Sequence, residues 1–177
     1  RGYEGFTNGN EGVAEGIVNS GKVQDFQRFL KENDIDYELY GCEVDGKKAI
    51  YCHFDNTDAD FFKIASTGTR SLALFYYWYI RMEKASFVFI DEFDAFYHYE
   101  MAENVICFFK QKYPKCQMIM TSHNTNLMTN RIMRPDCLFI LSRKGTLTAL
   151  CNATERELRE GHNLEKMYIS GEFEKYE

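Results

Sequence analysis

The chain has 177 residues, 45% of them hydrophobic and 16% aromatic, which is enough for one domain with a sizeable core. Its net charge of -6 gives no overall attraction to a phosphate backbone and speaks against a basic nucleic-acid-binding domain. No apolar run has the length of a membrane span and no signal peptide opens the sequence. Six cysteines (Cys42, Cys52, Cys107, Cys116, Cys137, Cys151) contain no CxxC pair, and several lie in apolar runs such as "CLFIL". They are expected to be buried free thiols, as in a reducing cytosol.

Residues 1–20 hold Gly2, Gly5, Gly9, Gly12 and Gly16 without apolar periodicity, so a flexible glycine-rich lead-in is expected there. The start at Arg1 suggests a loop cut from something longer. In "VQDFQRFLKEND", Val23, Phe26, Phe29 and Leu30 share one helical face. "YELYGCEVDGKKAIYCHF" predicts a hairpin turning at Asp45-Gly46, a pair that tolerates left-handed backbone. "STGTRSLALFYYWYIRMEK" begins as a loop and then spaces Leu72, Phe75, Tyr79 and Met82 as a helix. Its "FYYWY" run surrounds the helix too completely for one stripe, so part of it is expected at a domain or subunit contact.

"SFVFID" and "CQMIMT" are continuous apolar runs, expected as strands buried on both faces. Between them Met101, Val105, Phe108 and Phe109 mark a helix. "CLFILS" and "TLTAL", joined by "RKG", make a second hairpin. The tail from "ATERELRE" onward is expected to be helical in its first part and is charged throughout. Strand, helix, strand, helix, strand in the middle predicts an α/β fold, with a mainly parallel sheet, crossover helices and added hairpins.

Three constellations carry chemistry. The first is "FVFIDE", where a strand ends in adjacent carboxylates. Asp91 could hold Mg²⁺ and Glu92 could polarise a water beside a terminal phosphate. A solvated acidic turn would look the same. The second is "TSHN" at the end of the other strand. His123 can donate one hydrogen bond and accept another, although a histidine at a strand end can also be purely structural. The 32 residues from Asp91 to His123 span one strand-helix-strand unit. The third is "ASTGTRSL", where Ser66 and Gly68 precede a helix. Free N–H groups and a hydroxyl there suit an anion, and an ordinary N-cap needs the same residues.

Together these motifs resemble the ATP-binding-cassette ATPases, most nearly their soluble OLD-like and SMC/RecF-like branch. "STGT" is similar to a degenerate signature loop, with Ala65 and Thr67 where leucine and the first glycine usually stand. "FVFIDE" resembles Walker B and "TSHN" the switch-histidine loop. The 25 residues from Ser66 to Asp91 fit the same order. The resemblance is firm over Ser66 to Ser142. It implies a P-loop NTPase fold, with Asp91 as the metal residue, Glu92 as the catalytic base and His123 as the phosphate sensor. Ser66, Gly68 and Thr69 would bind the nucleotide held by a partner head, and His98 would lie at the subunit contact.

No GxxxxGK[ST] occurs in the sequence, and "NSGKVQ" lacks the Ser/Thr that should follow its lysine. Residues 21–177 are therefore expected to be the carboxyl-terminal part of a cytoplasmic cassette-type ATPase, with the Walker A half outside this chain. The implied cofactors are ATP and Mg²⁺, and the implied partner is a second copy across an ATP sandwich. The DNA or protein partner is left open and no membrane is involved. A non-catalytic interaction module derived from such an ATPase is the alternative. A metal-dependent nuclease built on Asp91, Glu92 and Asp94 is a third reading, weakened by carboxylates that come from only one strand end.

Overall fold

A computed structural model describes residues 9–159 and 161–176. It divides the chain into two compact units, Arg1–Phe87 and Val88–Glu177. In chain order the helices are α1 (Gly9–Asn19), α2 (Val23–Lys31), α3 (Phe61–Ile64), α4 (Thr67–Arg81), α5 (Tyr99–Lys112) and α6 (Leu164–Ile169). The strands are β1 (Glu38–Val44), β2 (Lys47–Phe54), β3 (Thr57–Asp60), β4 (Phe87–Ile90), β5 (Gln117–Met120), β6 (Phe139–Leu141) and β7 (Leu147–Ala149). No described helix is long and apolar enough to cross a membrane.

In the first unit, β1, β2 and β3 form an antiparallel meander in that order. The β1–β2 turn is the expected one: Asp45 and Gly46 have φ of 51° and 77°, the two left-handed residues of a tight hairpin. β1 lies at the edge of this sheet, and α2 satisfies part of that edge. Gln24 Nε2 donates to the Leu39 carbonyl at 2.9 Å, and the Leu39 N–H donates to Gln27 Oε1 at 2.7 Å. The opposite edge strand, "TDAD", has little intrinsic strand preference. It is held by pairing with β2, where His53 faces Asp58 and its Nδ1 lies 2.7 Å from the carboxylate.

The predicted face of α2 is the buried one, comprising Val23, Phe26, Phe29 and Leu30. Phe26 meets Phe61 edge-on at 5.5 Å and Tyr76 of α4 at 5.1 Å. Within "FYYWY", Tyr76 is the core member, and its hydroxyl donates to Asp25 Oδ2 at 2.6 Å. That bond is the main cause holding the Asp25 carboxyl below its ordinary value, while burial and Asp25 push the Tyr76 hydroxyl well above its own. A carboxyl depressed in the folded state stabilises above the unfolded value of about 3.9, and this contribution fades as pH falls through the folded value. Tyr76→Phe is expected to cost about 1 kcal/mol at neutral pH, since Asp25 keeps some solvent exposure. Urea melts should show the gap between wild type and variant narrowing below about pH 4.

Residues 9–19 correct the expected loop, because α1 buries Val13, Ala14 and Ile17. Gly16 serves close packing: a Cβ there would lie 2.2 Å from the Tyr77 ring. Residues 1–8 of the expected lead-in fall outside the described residues. The thiols also differ from expectation. All six are free, but only Cys52 is buried, with burial pushing it up to about 11, whereas Cys137 and Cys151 are exposed.

In the second unit, β4 pairs with β5 and α5 connects them. The Thr121 N–H donates to the Ile90 carbonyl at 3.0 Å, and the Thr121 carbonyl accepts from the Phe93 N–H at 3.2 Å. One residue bonding to two on either side of its neighbour is the pattern of a parallel ladder. β4 and β5 were expected to be buried on both faces. In this chain their residues alternate between exposed and half-buried, with Phe87, Phe89 and Ile119 exposed. The second hairpin, β6–β7, forms as predicted, with Gly145 at φ 77° in its turn. Ile140 joins Leu150, Ala153, Leu164 and Phe173 in a separate apolar cluster. The helix of the tail comes later than expected: residues 153–156 are bends, 157–159 are irregular, and α6 starts after Asn163, whose side chain caps the Lys166 N–H.

Candidate functional site

β4 and β5 end side by side, and the residues that leave them form one cluster within the second unit. Glu92 has φ 45°, a left-handed conformation that costs a non-glycine residue about 1–2 kcal/mol. This kink inserts an extra residue just past β4, so that the ladder resumes at Phe93 rather than Glu92. It also answers how two adjacent acids coexist. Asp91 Oδ1 accepts from the Thr121 hydroxyl at 2.5 Å, whereas Glu92 Oε1 lies 3.3 Å from His123 Nε2. The backbone turn gives each carboxylate its own partner.

Thr121 Oγ1 also accepts from the Glu92 N–H at 2.7 Å. Ser122 Oγ donates to Asp94 Oδ2 at 2.7 Å and accepts from the Asn124 N–H at 2.9 Å. Asp94, which looks at first like a third catalytic acid, is 9% exposed and committed to Ser122. His123 and Glu92 keep 91% and 59% of their side-chain surface exposed. An ion pair that open to water contributes little to stability. Its placement is better accounted for by what it leaves accessible, a carboxylate and an imidazole facing solvent together.

Mg²⁺ takes hard oxygen ligands and is usually bound by one or two carboxylates plus substrate phosphates, not by a complete protein cage. Asp91 and Glu92 fit that donor set. Among the described residues no three His, Cys, Asp or Glu side chains gather to hold a metal by themselves. The two acids would therefore need a ligand to complete the coordination.

The predicted anion loop lies in the first unit. Ser66 is exposed and caps α4: its Oγ accepts from the Thr69 N–H at 3.1 Å and lies 2.9 Å from Thr69 Oγ1. Thr69 is buried and Gly68 half-buried in the first turn of that helix. The hydroxyls of Ser66 and Thr69 are thus paired with each other in this chain. His98 is exposed at the N-cap of α5 and makes no side-chain cap bond. Sequence reading did not single out Thr121 and Ser122, which here carry most of the bonds between the two strand ends. The available signal was two hydroxyl residues directly before the histidine.

This fold has a solved counterpart. A chain of an SMC ATPase, from work on "ATP-driven dimerization and DNA stimulated activation of SMC ATPases", superposes with a TM-score of 0.53 at 15% identity. The match covers 90% of this chain and 97% of that one. No curated protein matches the sequence. The family profile described as "AAA domain, putative AbiEii toxin, Type IV TA system" matches residues 11–129, and the chain belongs to that AAA-domain family.

Proposed function

We propose that this chain supplies the acid-and-histidine part of an ATP-hydrolysing site in a cytoplasmic protein. The observation that carries this reading is the joined turn after β4 and β5, where Thr121 holds Asp91 at 2.5 Å and Glu92 stands 3.3 Å from an exposed His123. Asp91 would hold Mg²⁺ together with the phosphates of ATP. When bound, the ion would neutralise charge on the β- and γ-phosphates. Glu92 aims and polarises the attacking water and takes its proton. His123 would turn the ring N–H that now faces Glu92 to the terminal phosphate and so orient it against that water.

No complete GxxxxGK[ST] occurs in this sequence, so in this reading residues outside the chain provide the lysine loop that would cradle the β-phosphate. Ser66, Gly68 and Thr69 would face the nucleotide held by a second copy, with His98 near the contact between heads. For Ser66 and Thr69 this requires the capping hydroxyls to exchange their mutual bond for a phosphate oxygen. A homodimer closed by ATP follows from this arrangement.

The test is Mg²⁺-dependent release of phosphate from ATP. The 177 residues alone are expected to hydrolyse essentially none. Robust turnover by them, abolished by Glu92→Gln, would keep the site and remove the need for an outside lysine loop. Absence of Mg²⁺-dependent turnover from the full protein would overturn the ATPase reading.

A further inference from the structure

Five consecutive residues, from Ile90 at the end of β4 to Asp94, each bond to one of the two residues that follow β5. The Ile90 carbonyl accepts from the Thr121 N–H, Asp91 Oδ1 from the Thr121 hydroxyl, and the Phe93 N–H donates to the Thr121 carbonyl. The Glu92 N–H donates to Thr121 Oγ1, and Asp94 Oδ2 accepts from the Ser122 hydroxyl. An ionised carboxylate can only accept, so the single Thr121 proton goes to Asp91 and an oxygen lone pair takes the Glu92 N–H. Only a hydroxyl can do both at once. A carboxylate is planar, so fixing Asp91 Oδ1 also sets the direction of its second oxygen. The N–H bond lies at the residue with φ 45° and therefore holds the kink that turns Glu92 toward His123.

We infer that Thr121 is the positioning residue of the site: its hydroxyl sets the direction of the metal-binding Asp91 and locks the strained turn that aims Glu92. The inference rests on the ATPase reading for its catalytic consequence, but its structural content is independent of that reading. Ser122 extends the same coupling to Asp94 and, through the Asn124 N–H, to the loop that carries His123.

The variants are Thr121→Val, which keeps the shape and removes the hydroxyl, and Thr121→Ser, which keeps the hydroxyl. In the full protein, Thr121→Val should raise the Mg²⁺ concentration for half-maximal turnover about tenfold and lower kcat about tenfold. These changes are the size expected for losing a hydrogen bond to a charged group. KM for ATP should stay within about twofold, because ATP is held mainly elsewhere, and Thr121→Ser should keep the Mg²⁺ dependence and kcat near wild type. Unchanged Mg²⁺ dependence in Thr121→Val, or equal impairment in Thr121→Ser, would overturn the positioning role.

The second measurement uses neither metal nor nucleotide. Amide exchange at Glu92, followed by NMR, should quicken about tenfold in Thr121→Val and not in Thr121→Ser. Exchange unaltered in Thr121→Val would overturn the inference even if turnover fell. A wild type without ATP turnover would remove the ATPase reading alone, and exchange at Glu92 would still decide whether Thr121 holds the turn.

Discussion

Glu92→Gln in the full protein is expected to lower ATP turnover by about 10²–10⁴-fold, the usual share of a general base. ATP binding should persist, and an ATP-bound dimer should accumulate. Glutamine has the same length and can occupy the same left-handed turn, so the hydrogen bond from its N–H to Thr121 survives. What is lost is the charge that polarises water and the capacity to take a proton. His123 would keep a polar neighbour at the position now occupied by Glu92 Oε1. Single-turnover hydrolysis and size-exclusion with light scattering, with and without ATP, read the two effects separately. Turnover unchanged in Glu92→Gln would take Glu92 out of the mechanism. Lost turnover without a trapped dimer would keep the base and remove the sandwich.

The adjacency of Asp91 and Glu92, and their spacing from His123, made the site legible in one dimension. Two acids in sequence say that a strand ends in carboxylates. They do not say that the second acid turns left-handed and takes a different partner from the first. That information lies in a tertiary hydrogen bond from a residue 29 positions later, Thr121, which no local pattern encodes. The histidine was legible for a simpler reason, since it follows an apolar run at the end of a strand-helix-strand unit. Ser66 and Thr69 remained ambiguous because a capped helix start and an anion site use the same atoms. In the unliganded chain those atoms satisfy each other.

The fold shows the same division. α2 and the Asp45-Gly46 hairpin were legible because their periodicity and turn chemistry are local. α1 was hidden by its glycines, although Gly16 is required by the approach of the Tyr77 ring rather than by flexibility. β3 was hidden by its acidic composition, because it is held as a strand by its ladder to β2, from Tyr51–Asp60 to Phe54–Thr57, and not by its own preference. The apolar run of β4 was legible as a strand. The exposure of Phe87 and Phe89 was not, since an apolar residue reads the same whether its own chain or another body covers it.

Phe26→Ala is expected to destabilise the first unit by about 3–5 kcal/mol, the range for deleting a buried phenyl ring. Phe26 is fully buried and bridges three elements: its own helix α2, Phe61 of α3, and Tyr76 of α4. Removing it deletes the aromatic contacts to both rings and leaves a cavity that its well-packed neighbours can fill only in part. Tyr76 would also lose one of the walls that direct its hydroxyl to Asp25, so part of that bond should be lost as well. Total stabilities of single domains are about 5–15 kcal/mol, so this change removes a third or more of a typical value. The readout is the urea midpoint of the transition that reports Tyr76 and its neighbours. Phe26→Leu should lose clearly less than Phe26→Ala. The functional consequence should follow the packing. Tyr76 and Ser66 lie on and at the start of the same helix, so a loosened α4 disturbs the cap that presents Ser66, whereas the bonds of Thr121 to Asp91 and Glu92 arise wholly within the second unit. Amide exchange in Phe26→Ala should therefore rise around Thr69 and stay near wild type at Glu92. A rise of equal size at both positions would show that the two units do not unfold independently.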